Sequence, residues 1–353
     1  MKKLAIKILS AVFACVMICT SLSACGDPLK STEEEKQTVM KVGDYEVPYE
    51  FYRYFVLNYK KQITKNEDDW NDSKKAAEME AEIEKLVESS LRDFYAVLAL
   101  ATEFGVDREN ATVNAAIDAE LKATKNGYEN DSDYAAALAE GYMNHSTYEL
   151  IQTNAICSEE LYYKMMNDGA IKADEEYLKE FIYGDGFIRI KQILVVGESS
   201  NTVYDGTVFV PEESHTDEEA AAIAELAMNK AKAGEDFDKL VADYGESFHM
   251  FSNTDGYYIC EGYWDDVNND AVFALEIGEV SDVIESQQGY SVFKRFEKED
   301  DYIESHYNEL RDIYTESQYS LAIEEKAEAF EITKTELYDT ISIKDMKWEA
   351  DKK

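Results

Sequence analysis

Apolar and polar positions follow two different rhythms along this chain, and the change between them divides it. Val39-Met40-Lys41-Val42 and Tyr45-Glu46-Val47 flank Gly43-Asp44 and read as a short strand pair around a glycine turn. Pro48 sits where a first helical turn tolerates it, and a helix is expected from about Tyr49 to Lys65. Its Phe51, Tyr52, Phe55 and Tyr59 fall at helical spacing and read as a core face rather than a binding surface. From Ser73 to Phe104, Met79, Ile83, Leu86, Val87, Leu91, Phe94, Leu98 and Ala101 recur at steps of three and four, with Gly105 as a natural stop. Glu78, Glu80, Glu82, Glu84 and Glu88 form an acidic flank, read as a solvated face. Further helices are expected near 108–125, 131–141 and 146–167, the last opened by a capping box at Ser146-Thr147-Tyr148-Glu149. A shorter helix opens at Asp174. Between residues 49 and 183 the pattern is helical throughout, with no phosphate-cradling glycine loop and no nucleophile elbow.

At Phe187 the rhythm changes. Ile188 to Val196 alternates and is rich in β-branched residues, which predicts a strand. Residues 197–215 are polar, contain Pro211 and read as a loop insertion. Helices are expected over Asp217–Ala233, closed by Gly234, over Phe237–Tyr244, and over Asp266–Leu275, ended by Gly278. Val280–Ile284 reads as a strand, Gln287-Gln288-Gly289 as a turn and Tyr290–Phe296 as a last strand. The order β-α-α-α-β-β describes a compact α+β domain. A long helix over 301–330 and a short tail over 331–349 follow.

The amino terminus changes the picture of where such a chain works. Met1-Lys2-Lys3 precedes an apolar run from Leu4 to Ala24, then Leu22-Ser23-Ala24-Cys25, the layout of a secretory signal. The run is about long enough to span a bilayer, but Lys7 interrupts it and polar sequence begins straight after Cys25. The Leu-Ser-Ala-Cys box resembles the bacterial lipobox. That resemblance implies cleavage before Cys25, diacylglycerol on its thiol, and an extracytoplasmic protein lipid-anchored to the cell membrane. Cys15, in Val-Phe-Ala-Cys, is a poorer match because Phe occupies a slot that wants a small residue. Residues 26–37 lack periodicity and read as a tether.

Cys157 and Cys260 are then the remaining thiols. Either a disulfide or two buried small apolar residues fits their spacing, and the second reading is preferred. Two Cys with the scattered His145, His215, His249 and His306 show no metal-ligand spacing, so no metal or cofactor is expected. The formal charge of −39 becomes −42 once Lys2, Lys3 and Lys7 leave. This excludes nonspecific nucleic-acid binding, which needs basic surface, and opposes direct adhesion to an anionic membrane. Its plainest consequence is solubility.

Residues 187–297 resemble the parvulin family of peptidyl-prolyl isomerases. The resemblance rests on Gly234-Glu235-Asp236-Phe237-Asp238-Lys239-Leu240, on Phe273-Ala274-Leu275-Glu276-Ile277-Gly278-Glu279-Val280-Ser281, and on Gln288-Gly289-Tyr290-Ser291-Val292-Phe293-Lys294. Val42-Gly43-Asp44-Tyr45-Glu46-Val47 before a helix looks like the start of the chaperone lobe of PrsA/SurA-like foldases. The layout implied is a signal peptide over 1–24, a tether over 25–37 and a helical lobe over 38–186. A parvulin-like antiparallel sheet surrounded by helices would occupy 187–297, and a carboxy-terminal helix and tail over 298–353 would return to the lobe. The fold class expected is α+β.

Departures from the family pattern fall on its working positions. The family's first-strand histidine falls on Gln192 and its last-strand histidine on Ser291. The apolar proline-pocket position falls on Asn268, and a nearby Met position on Trp264. The glycine-rich loop shrinks to Asp255-Gly256-Tyr257, and His249 in the preceding loop reads as a surface residue. No catalytic residue is assigned. The resemblance thus implies a membrane-anchored foldase for unfolded or nascent secreted polypeptides, with weak or absent isomerase activity. The 25 Tyr residues suggest a broad contact surface for clients. An active isomerase is the alternative; a transporter's solute-binding lipoprotein fits the helical first half poorly. Whether the chain forms a homodimer stays open at this level.

Overall fold

The computed structural model describes residues 28–198, 200, 215–286 and 288–348. Cys25 and most of the 197–215 insertion therefore lie outside the described residues. In chain order the elements are β1 (Thr38–Val42), β2 (Tyr45–Pro48), α1 (Tyr49–Ile63), α2 (Ser73–Glu103), α3 (Ala111–Asn126), α4 (Asp131–Glu140), α5 (His145–Asn167) and α6 (Glu175–Tyr183). Then come β3 (Ile188–Val195), α7 (Asp217–Lys232), α8 (Phe237–Tyr244), α9 (Phe248–Ser252), β4 (Tyr257–Ile259), α10 (Asp266–Phe273), β5 (Ile284–Ser286), β6 (Gly289–Phe296), α11 (Asp300–Glu328) and β7 (Ile332–Lys334). Among the described residues no helix is long and apolar enough to cross a membrane.

Contacts group these elements into two compact units, one running to Asn167 and resuming at Ala322, the other Asp168–Leu321. Both divisions depart from the expected boundaries at 186 and 298. α6 joins the second unit because Phe181 packs edge-on to Phe187, just before β3, and to Tyr314 on α11.

The first unit is helical around a small sheet of order β2-β1-β7. The apolar faces of α1 and α2 meet at Phe51 and Phe94, whose ring centroids are 4.7 Å apart, with Ile83, Val87 and Leu91 buried beside them. Asp72 caps α2 by accepting from the Lys74 and Lys75 amides. One expectation needs correction at once. The segment read as a free tether is docked from Leu29 onward: Leu29 packs against the core, Ser31 is buried, and Glu35 pairs with buried Arg53 at 2.6 Å. The carboxy-terminal tail returns to the helical unit as expected, and adds a strand that was not: β7 runs antiparallel to β1, and Ile343 and Met346 are core residues. Part of the acidic flank receives that tail, since Tyr338 donates to Glu84 at 2.6 Å and Lys334 pairs with Glu88 at 2.9 Å. The cap of α5 is Asn144, whose side chain accepts from the Thr147 amide, rather than Ser146. Tyrosines mostly fill cores or lie half-buried; among the described residues only Tyr163 and Tyr183 are exposed. Several rings pair with one another, as Tyr45 does with Tyr95 and Tyr128 with Tyr134.

The second unit is an antiparallel sheet of order β4-β3-β6-β5 with helices on both faces. All eight residues of β3 are buried, which makes it the central strand. Ile193 and Val195 face α7 and α8, where Ala220, Ala224, Ala227 and Ala231 let the helix approach closely. Ile188 and Ile190 face the other way, with Ile259, Val272, Leu275 and Phe293. A capping box the sequence reading missed, Thr216 with Glu219, opens α7. The strand expected over Val280–Ile284 forms later, at β5, while Val280 makes only an isolated bridge to Lys294. Gly256 has a φ of +88°, and a side chain there would collide with the Ile190 carbonyl oxygen. Cys157 and Cys260 are free buried thiols, each pushed up to about 11 chiefly by burial.

Candidate functional site

Gln192 lies in the middle of β3 and Ser291 near the start of β6. In the register Gln192 opposes Phe293 and Ser291 opposes Leu194, so the two polar residues are diagonal neighbours on one face of the sheet. Gln192 Nε2 donates to Ser291 Oγ at 2.9 Å, with Gln192 4% and Ser291 0% exposed. Tyr257, the first residue of β4, donates its hydroxyl to Gln192 Oε1 at 3.4 Å. Ser247, the N-cap of α9, lies 3.4 Å from the same hydroxyl. Ser247, Tyr257, Gln192 and Ser291 thus form a hydrogen-bonded chain of uncharged side chains that satisfies buried polar groups.

Aromatic rings close over this chain. Trp264 is edge-on to Tyr257 at 4.9 Å and tilted on Phe293 at 5.4 Å. His249, on α9, stacks on Tyr257 at 4.2 Å with an interplanar angle of 13°. It is not the surface residue expected: its Nε2 is buried, with no hydrogen-bond partner among the described residues. Burial pushes its imidazole below the ordinary value, only partly offset by Glu309.

Asn268 is 3% exposed on α10. Its amide and Nδ2 both donate to the Asp265 carboxylate, at 3.0 to 3.1 Å, which fixes the side-chain orientation. Its Oδ1 is buried without a partner among the described residues.

The structure therefore links Gln192 and Ser291 directly, and Trp264 to them through Tyr257. Asn268 is held by its own helix cap, without a hydrogen bond to those three. Sequence reading missed Tyr257, Ser247 and His249. A signal was present for the first: the shortened glycine loop places Tyr257 at the start of a strand beside Gln192, which needs more than one partner when buried. Nothing in this arrangement supplies a nucleophile–base pair, and among the described residues no group of three or more His, Cys, Asp or Glu could hold a metal. What the arrangement offers is hydrogen bonding and burial.

Residues 207–329 match the family model of the PPIC-type PPIASE domain. That span contains Trp264, Asn268 and Ser291 and begins after β3, so Gln192 precedes it. The foldase protein PrsA of Bacillus subtilis strain 168 is 28% identical over 150 residues, which cover 41% of this chain and 44% of that protein. The chain thus aligns with less than half the length of this curated relative. Among solved structures, PrsA from Bacillus subtilis is 23% identical with a TM-score of 0.26, covering 71% of this chain and 85% of that one. PrsA from Bacillus anthracis is 17% identical with a TM-score of 0.32, covering 68% and 94%. The chain is PrsA-like and carries a parvulin-type domain.

Proposed function

We propose that this PrsA-like chain is a foldase that works outside the cytoplasmic membrane, anchored by lipid on Cys25, where it holds unfolded secreted polypeptides. We propose further that its parvulin-type site is degenerate. The observation that carries the second statement is the Gln192–Ser291 hydrogen bond, buried at the two positions where the resemblance places histidines.

Isomerising an X–Pro bond means twisting an amide over a barrier of about 18–20 kcal/mol without breaking a covalent bond. A catalyst must bury the ring and favour the twisted amide over the planar one. Asn268 offers an amide to the ring, and its unpartnered Oδ1 would have to be buried against carbon. Holding a polypeptide makes no such demand, and Phe251 and Val267, exposed on α9 and α10 next to this site in sequence, offer apolar contact.

One preparation tests both statements. The chain should suppress aggregation of an unfolded model protein while leaving the isomerisation rate of a proline tetrapeptide, read by coupled proteolysis, near the uncatalysed value. A rate like that of other parvulins would refute the degenerate site, and unchecked aggregation would refute the holding role. Gln192→His with Ser291→His should restore little activity until Asn268→Phe is added. For the anchor, Cys25→Ala should move the protein from the detergent phase to the aqueous phase; unchanged partitioning would remove the lipid.

A further inference from the structure

We propose that the helical unit rests on the bilayer through one face, built around Leu29, Asn144 and Trp348 and held there by a leash of four residues. This depends on the lipid anchor at Cys25 and adds to it which surface of the chain meets the membrane.

The length of the leash follows from where the amino-terminal segment docks. Leu29 packs against the core of the helical unit, and Ser31 is buried. Ser31 Oγ donates to Ser146 Oγ at 3.1 Å and accepts from Asn144 Nδ2 at 3.3 Å, which ties the segment to the start of α5. Further along, Glu35 pairs with Arg53, and the Tyr49 and Glu50 amides donate to the Gln37 and Glu35 carbonyls at 2.8 and 3.0 Å. Four residue steps separate Cys25 from Leu29, and whatever conformation they take they span at most about 14 Å. Were the segment free as far as β1, the thirteen steps from Cys25 to Thr38 would reach about 45 Å. Docking therefore cuts the leash to about a third of its free reach.

The same contacts fix which surface lies beside the anchor. The guanidinium of Arg53, already paired with Glu35, sits 4.4 Å from the ring of Trp348, so the two ends of the described chain meet there. The Trp348 ring lies 6.4 Å from that of Tyr142, two residues before Asn144. Both rings are half-buried, and amphipathic Trp and Tyr rings are favoured at the level of lipid headgroups.

Charge permits the contact. The chain carries 74 acidic against 35 basic side chains, which repels it from an anionic bilayer as a whole. On this face the excess is missing. Arg53 cancels Glu35, Lys36 pairs with Glu33 at 3.1 Å, and buried Glu50 accepts from Asn144. That leaves Glu34 against the exposed Lys30 and Lys347. A lipid surface is favoured over a dissolved partner because a short leash presents the bilayer to this face intramolecularly, at high effective concentration.

The test uses the lipidated full-length chain in vesicles of phosphatidylcholine and phosphatidylglycerol that carry an energy acceptor on a lipid headgroup. A donor dye is attached at Lys347→Cys, beside Trp348, or at Asn167→Cys, the last residue of α5. Both positions are exposed, whereas Cys157 and Cys260 are buried. Along its axis α5 carries Asn167 about 32 Å from Ser146, so transfer from position 347 should exceed that from 167 about twofold. Inserting about twenty Gly/Ser residues between Asp27 and Pro28 adds roughly 25 Å of flexible coil, and should bring both positions to the same, lower transfer. The insertion touches no contact among the described residues, so misfolding would not mimic the result. Equal transfer from the two positions without the insertion, or transfer from 347 that ignores it, would overturn the proposal. The mass of the amino-terminal fragment keeps the two readings apart. A fragment with diacylglycerol and equal transfer removes the face and leaves the anchor; a fragment without lipid removes the anchor, and the face with it.

Discussion

Replacing Ser291 by alanine isolates the bond on which the reading of the site depends. The hydroxyl is fully buried and accepts from Gln192 Nε2 at 2.9 Å, and Gln192 is itself 4% exposed, so water cannot replace the lost partner. Leaving one buried donor unsatisfied costs about 1–3 kcal/mol, whereas replacing both partners by apolar groups of similar shape is nearly neutral. Ser291→Ala should therefore destabilise the second unit by about 2 kcal/mol. The pair Ser291→Ala with Gln192→Met should recover most of that loss, tempered by the Tyr257 hydroxyl, which loses its own 3.4 Å acceptor. Because the chain forms two units, one global unfolding curve would mix their transitions. Native-state hydrogen exchange read by mass spectrometry on peptides covering β3 and β6 reports the second unit locally. The single variant should exchange about 30-fold faster there, and the double variant only a few-fold faster than wild type. A single variant within about threefold of wild type, or a double variant worse than the single, would refute the claim that these two groups satisfy each other.

Gly256→Ala should lower the urea midpoint of the second unit, with a loss of at least about 1–2 kcal/mol, because the residue holds a φ of +88° and its new Cβ meets the Ile190 carbonyl. In the first unit, Glu35→Gln leaves Arg53, whose side chain is 6% exposed, without its counter-charge and should cost about 3 kcal/mol in chemical denaturation. Burial pushes the Glu35 carboxyl up, but the Thr32 amide and Arg53 outweigh it and hold it below its usual range. The stability this pair contributes is present above pH 4.5 and should fade as pH drops through that lowered value, a loss absent from Glu35→Gln. His249 has the opposite chemistry and the same direction of loss: burial holds its imidazole neutral, so stability present above pH 6.5 should fall as pH decreases toward the depressed value. His249→Phe keeps the stack on Tyr257, removes the unpartnered Nε2, and should flatten the exchange rate of β4 across that range.

Long periodic elements were legible because their faces are set by local spacing. The expected helices over 73–104, 131–141 and 237–244 match α2, α4 and α8 to within a residue at either end. Elements whose existence depends on distant partners were not. β7 is three residues long and has no pattern of its own; it exists because β1 offers an open edge some 290 positions earlier, at Met40, Lys41 and Val42. β4 is equally short and is recruited by the exposed edge of β3. The tether fails for a related reason. Its composition is that of a linker, yet one carboxylate, Glu35, is matched to an arginine that a helix face has buried, and no local rule reads such a pairing. At the site, Gln192 and Ser291 could be placed on facing strands from sequence, but their diagonal register could not, nor could the tyrosine that completes the chain.

On the proposed reading, hydrogen-bond balance is what lets a site be rewritten while its fold persists. Two strands meeting with polar side chains on a buried face need donors and acceptors that balance; they do not need histidine in particular. A glutamine presents one acceptor and two donors, a serine one hydroxyl that plays either role, and Tyr257 closes the remaining acceptor. The sheet therefore keeps its central pairing across β3 and β6, and with it the scaffold that orients α7 to α10. Asn268 shows where the same tolerance ends: its Nδ2 is satisfied by the Asp265 cap while its Oδ1 remains unpartnered. An apolar residue at that position would bury no orphan oxygen, so the asparagine carries an energetic cost that the fold itself does not require. On the proposed reading, a polar residue at this wall weakens a proline pocket more than it weakens the domain, and the Asn268→Phe variant separates the two effects.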